Sequence, residues 1–107
     1  MKKIIVTTSW DDGHILDIRV AKLLKKYRLE GTFYISPKDK EILQTNRLSN
    51  EQIVFLANDF EIGAHTMTHP LLTKTEDMVA KKEIIDSKNY LEKIIGKSVK
   101  SFCFAAP

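Results

Sequence analysis

The stretch "IIVTTSWDDGHILDIRVAKLLKKY", running from Ile4 to Tyr27, decides the fold class. Ile4 to Ser9 opens on β-branched apolar residues and reads as a buried strand. Leu16, Val20, Leu23, Leu24 and Tyr27 then recur at spacings of three and four, the stripe of an amphipathic helix. A strand passing straight into a helix is the first half of a β/α unit. At the junction stand two adjacent carboxylates, Asp11 and Asp12, followed by Gly13. Like charges held side by side repel, so the pair costs stability unless a cation, a proton or water compensates it. An isolated Asp-Asp-Gly is most simply a solvated turn, and what the rest of the chain brings to it decides its meaning.

The same alternation continues outward from this unit. A turn at Glu30-Gly31 leads into "TFYIS", Thr32 to Ser36, a strand closed by Pro37. Lys38 to Arg47 reads as a polar loop with a short turn of helix. Ser49 and Gln52 predict a capping box, and Leu48 and Ile53 a hydrophobic staple, at the start of a second helix. "FEIGA", Phe60 to Ala64, is a third strand interrupted by a glycine. Thr73 and Glu76 offer a second capping box for a long helix with Met78, Ile84, Ile85, Leu91, Ile94 and Ile95 as its apolar positions and Gly96 as its stop. Ser101 to Ala105 is expected to form a fourth strand. Strand and helix in regular alternation build a parallel sheet with helical crossovers, whose functional groups collect at the carboxyl ends of the strands.

Composition sets bounds on this scheme. With 107 residues, 43% hydrophobic and 29% charged, the chain suits one small α/β domain with a core of its own. A net charge of +3, with 17 Lys and Arg distributed among 14 acids, makes no nucleic-acid footprint. Lysines 81, 82, 88, 93, 97 and 100 alternate with Glu83, Asp86 and Glu92 and predict a solvated face. The single cysteine, Cys103, has no intrachain disulfide partner and reads as a small core residue of the last strand. Lys2 and Lys3 precede only three apolar residues, too few for an export signal or a membrane span, so the expected location is cytoplasmic and no membrane partner is expected.

The polar oddities of the chain share one face of this scheme. Asp11 and Asp12 follow the first strand, and His65 and His69, bracketed by Gly63 and Pro70, follow the third. A histidine pair spaced by four is weak evidence by itself. Joined to a carboxylate at the same strand-end face, it becomes two neutral imidazoles plus one oxygen, the ligand chemistry of a catalytic zinc or related divalent site. One aspartate then ligates the ion, while its neighbour points elsewhere and stays free to act as a base.

In order along the chain, "SWDDGH", "GTFYIS", "EIGAHTMTHP" and "FAAP" resemble the successive signatures of the polysaccharide deacetylases, the NodB-type carbohydrate esterases of family 4. The resemblance covers essentially the whole chain. It implies a distorted TIM-like (β/α) barrel, here truncated to about four strands and three helices, with residues 1–107 as the N-terminal part of the domain. It also implies removal of acetyl groups from N-acetylated sugars of chitin, chitooligosaccharides or peptidoglycan. In the family pattern Asp11 is the general base, and Asp12, His65 and His69 hold a divalent ion, first of all Zn2+, with Co2+ or a similar ion as the other choice. Trp10 stands where phenylalanine is common and is a candidate for stacking on a sugar ring, with a place in the core as its competing role. Thr66 and Thr68 are expected to shape the turn between the histidines, and His14, where proline often stands, to start the first helix.

Two departures matter. Ala105 and Ala106 precede Pro107 where many members carry an arginine oriented toward the base, so the chain resembles the arginine-lacking branch and the partner of Asp11 stays open. The family domain also continues with a further half barrel that includes a late histidine acting as general acid. The open side of the sheet is accordingly expected to be covered by such a half or by a homodimer. The alternatives are hydrolysis of other small linear or cyclic amides on the same scaffold, or a non-catalytic metal-binding half-domain.

Overall fold

Residues 2–106 are described by a computed structural model. Three short strands, β1 (Ser9–Asp12), β2 (Thr32–Ile35) and β3 (Glu61–Ala64), alternate with the helices α1 (Asp17–Lys26), α2 (Asn50–Ala57) and α3 (Asp77–Ile95), with single 3-10 turns at Gln44–Asn46 and Leu72–Lys74. The sheet is parallel throughout, in the order β1-β2-β3. Asp12 pairs with Ile35 and Ile35 with Ala64, so the three carboxyl ends are level. Whatever follows each strand therefore emerges along one rim.

The core lies between sheet and helices. Phe33, Ile35, Ile53, Leu56 and Leu91 are fully buried, each contributing about 1.5–3 kcal/mol by removal of its side chain from water. Phe60 meets Phe33 edge-on, with ring centroids 5.4 Å apart. Gly63 is required by this packing, because a β-carbon there would run into the Tyr34 ring and sit 2.8 Å from Ser101 Oγ. Locally encoded features stand as the sequence predicts them. Ser49 Oγ accepts the Gln52 amide and Gln52 Oε1 accepts the Ser49 amide, closing the capping box. Leu48 and Ile53 are both buried. Gly96 ends α3 in the left-handed region at φ 68°.

Several expectations are corrected. The first strand begins later, at Ser9, and Ile4, Ile5 and Val6 are exposed. Their side of the ladder is empty because β2 begins only at Thr32, whose amide donates to Thr8 O, directly after the Glu30-Gly31 turn. In α1 the inward positions are Asp17, Ala21 and Leu24, while Leu16, Leu23 and Tyr27 face water. Thr73 does not cap α3. It is held in the 3-10 turn Leu72–Lys74, whose backbone is incompatible with the extended N-cap conformation, and Glu76 takes that place without a side-chain cap. On α3 it is Ser87 and Leu91 that are buried, whereas Met78, Ile84 and Ile85 are exposed. The fourth strand is reduced to one parallel bridge, Ala64 to Phe102, with the amide of Ala64 donating to Ser101 O and that of Cys103 to Ala64 O. Cys103 is only partly buried, and Pro107 of the "FAAP" motif lies outside the described residues. The lysines of α3 and beyond are exposed, with Lys82–Asp86 and Lys88–Glu92 as i,i+4 pairs. Among the described residues no helix is long and apolar enough to cross a membrane.

Candidate metal centre

The level strand ends bring Asp12, His65 and His69 together. Asp12 Oδ1 lies 3.2 Å from His65 Nε2 and 3.1 Å from His69 Nε2. The side chain of His65 is 2% exposed and that of His69 15%, against 45% for Asp12. The imidazoles thus form the floor of the cluster and the carboxylate its open side.

Each member is held by the backbone and by a neighbour. Asp12 and Gly13 have successive φ values of 85° and 89°, so the chain leaves β1 in a sharp left-handed turn that swings Asp12 toward the histidines. Thr66 and His69 also have positive φ, 66° and 68°. Such conformations cost about 1–3 kcal/mol each in a non-glycine residue and persist only where the surroundings impose them. Glu83 of α3 supplies much of that constraint. Its Oε2 accepts the amides of Met67 and Thr68 at 2.8 and 2.9 Å, and its Oε1 accepts the Thr68 hydroxyl at 2.6 Å. Thr66 Oγ1 accepts the His69 amide, and Ser36 Oγ donates to His65 O. Thr66 and Thr68 therefore build the turn, as expected. His14 leads into the first helix from three residues ahead of it, its Nδ1 accepting the Leu16 amide and its carbonyl the Asp17 amide.

The donor set fits a divalent cation. His65 Nδ1 lies 2.7 Å from Cys103 O, and a carbonyl can only accept, so this nitrogen carries the proton. In the neutral ring Nε2 then presents a lone pair to a carboxylate oxygen, an arrangement that repels unless a proton or a cation lies between. Zinc bonds of about 2.0–2.2 Å set neighbouring ligands roughly 3.4 Å apart in a tetrahedron, close to the 3.1 and 3.2 Å observed.

Asp11 borders this triad without an ion pair to either imidazole among the described residues, although Asp11, His65 and Cys103 bring ligand-capable atoms within 4.8 Å of one another. Its Oδ2 is 3.9 Å from Cys103 Sγ, and the ion-pair contacts of both histidines with the doublet run to Asp12. Burial and the charge of Asp11 push the Cys103 thiol up, which keeps it protonated beside that carboxylate. Trp10 lies two residues before Asp12, with its indole N–H donating to Thr8 Oγ1 toward the start of the strand. Asp17, at the start of α1, is buried, and burial followed by the charges of Asp12 and Asp11 pushes its carboxyl up to about 7.

The family model for polysaccharide deacetylases matches residues 1–107. The chain belongs to the polysaccharide deacetylase family. Over 94 residues, 86% of this chain and 19% of the relative, it is 29% identical to the peptidoglycan-N-acetylmuramic acid deacetylase PdaC of Bacillus subtilis. Among solved structures it is similar to the Streptococcus pyogenes deacetylase PplD in complex with acetate, at 25% identity and a TM-score of 0.84, covering 94% of this chain and 46% of that one. The peptidoglycan deacetylase PdaC of Bacillus subtilis superposes with a TM-score of 0.75 at 27% identity, over 94% of this chain and 48% of its own. This deacetylase-family chain thus spans about half the length of the solved relatives and a fifth of the curated one.

Sequence reasoning missed three residues around the site. Glu83 sits among lysines on what reads as a solvated face, and Asp39 lies in a stretch of alternating charge. Asp17 interrupts an apolar stripe and looks like an ordinary first-turn acid. The available signal was the spacing of Asp17 from the doublet, one helical turn past a strand exit.

Proposed function

We propose that this chain provides the metal-binding and base-bearing part of a deacetylase that hydrolyses the acetyl amide of N-acetylated sugars. The observation that carries this reading is the convergence of two imidazole nitrogens on one carboxylate oxygen, in a member of this family, with a second carboxylate beside them that makes no ion pair to either ring. Asp12, His65 and His69 would hold a divalent ion, Zn2+ foremost. When bound, it supplies Lewis acidity toward an acyl oxygen and lowers the pKa of water. His65 is locked in the required tautomer by Cys103 O, and Asp12 is turned inward by the backbone at Asp12-Gly13. Asp11, next to a neutral thiol and unspent on the imidazoles, is placed to accept the proton of an attacking water. The exposed side of Asp12 leaves room for the acyl group. Trp10, partly exposed, remains the candidate for sugar stacking.

A second reading draws on the length of the solved relatives, of which the chain spans 46–48%. On it, the chain binds metal but turns over substrate only when its open side is covered by a further half barrel or by a second copy. The division of labour in the doublet is tested by zinc dialysis and an acetate-release assay on N-acetylglucosamine oligomers. Asp12→Asn should lose zinc, whereas Asp11→Asn should keep one zinc per chain. In whichever assembly hydrolyses, Asp11→Asn should lower the rate by about a hundred to ten thousand. Equal loss of zinc in both variants would sink the assignment.

A further inference from the structure

Resting on the metal reading above, we infer that Asp39 is the positioning residue for His69, accepting the ring's Nδ1–H and so presenting Nε2 to the ion. His69 Nδ1 is buried and has no hydrogen-bond partner. Two carboxylates face it, Asp39 Oδ2 at 3.9 Å and Glu41 Oε2 at 3.6 Å. Their surroundings decide between them. The side chain of Glu41 is 75% exposed, so water competes for it at little cost, whereas that of Asp39 is 1% exposed and has no such alternative. A carboxylate that deep requires a donor or a cation. Asp39 Oδ1 already accepts the Glu41 amide at 2.8 Å, which leaves Oδ2 turned to the ring.

The backbone keeps the two groups in register. The amide of Lys38 donates to Met67 O at 2.9 Å and that of Lys40 to Thr68 O at 3.3 Å, so the segment carrying Asp39 is laced on both sides to the turn that carries His69. The inferred hydrogen bond requires the 3.9 Å between Nδ1 and Oδ2 to close to about 2.7–3.2 Å when the ion binds. The two histidines then differ in a chemically useful way. His65 leans on a neutral carbonyl and His69 on a carboxylate, and a carboxylate partner makes the imidazole the stronger electron donor to a metal.

The test uses the 107-residue chain with Zn2+ and Co2+ as probes. Asp39→Asn retains an oxygen for the Glu41 amide, so the loop keeps its shape while the charge facing His69 disappears. Zinc affinity, read by competition with a chromophoric chelator, should fall about 10–100-fold in Asp39→Asn and stay within about threefold in Glu41→Gln. The visible spectrum of bound Co2+ should shift in the first variant only. Independently of any substitution, nitrogen NMR of the zinc-loaded wild type should find the His69 proton on Nδ1. Wild-type affinity and an unshifted spectrum in Asp39→Asn, equal losses in both variants, or an unprotonated His69 Nδ1 would each overturn the inference. So would a second zinc per wild-type chain that Asp39→Asn abolishes, since Asp39 would then be a ligand. A wild type that takes up no zinc overturns the metal reading itself, which separates the two failures.

Discussion

Asp17 shows how one side chain reports on the strand-end rim. It is 7% exposed, its Oδ2 is buried without a partner, and its carboxyl is pushed up to about 7 by burial and by the negative charges of Asp12 and Asp11. The unfolded chain releases that proton near the ordinary value of 3.8. Between these limits the folded state binds one proton more than the unfolded state, so stability falls as pH rises from about 4 to about 7 and the loss is complete above that range. The whole effect is at most about 4 kcal/mol. Asp17→Asn cannot titrate and should flatten the slope in the ion-free protein. Denaturant midpoints at the two ends of the range check this, and an unchanged slope in the variant would assign the pH dependence elsewhere.

Among the elements, what was legible in the sequence is what is decided within a few residues. The capping box at Ser49 and the left-handed cap at Gly96 are set by local hydrogen bonds, and both are present. The start of β1 and the caps of α3 depend instead on partners distant in the chain, namely where β2 begins and how the 3-10 turn at Leu72–Lys74 fits. Helix faces were misjudged for a related reason. The buried positions of α1 and α3 include Asp17, Ala21 and Ser87, small or polar residues to which a count of apolar side chains is blind. The meeting of the candidate site's side chains was legible further than its scaffold. Asp12, His65 and His69 could be grouped because a parallel sheet levels its strand ends, whereas Glu83 and Asp39 act from a helix and a loop whose placement no local pattern encodes. Glu83→Ala tests that scaffold role. It strips the amides of Met67 and Thr68 of their acceptor and should destabilise the fold by about 2–3 kcal/mol, with a parallel loss of zinc affinity. Thermal denaturation beside a zinc titration checks it, and an intact affinity would show the histidine turn to be self-supporting.

At the scale of the whole molecule, apolar surface remains uncovered. Ile4, Ile5 and Val6 precede β1 and are 84%, 75% and 60% exposed, and Phe104, past the bridge that extends the sheet, is 61% exposed. Surfaces of this kind draw partners. The chain alone is expected to associate, most simply as a twofold dimer, and light scattering after size exclusion checks this. A stable monomer at micromolar concentration that releases acetate at enzymatic rates would show that no cover is needed.

The three candidate ligands come from opposite edges of the three-stranded ladder, Asp12 from the end of β1 and His65 and His69 from beyond β3, with β2 between them. An ion held by all three is therefore also a cross-link. It ties shut a loop of roughly fifty residues whose closure otherwise has to be met from the entropy of the unfolded chain. Catalytic residues usually drain stability from a fold. On the metal reading proposed above, the reactive centre would double as a rivet, and availability of the ion would set how much of the chain is folded at a given moment. With free ion at a hundred times its dissociation constant, the folded state gains about 2.7 kcal/mol, a large share of what so small a sheet has to spare.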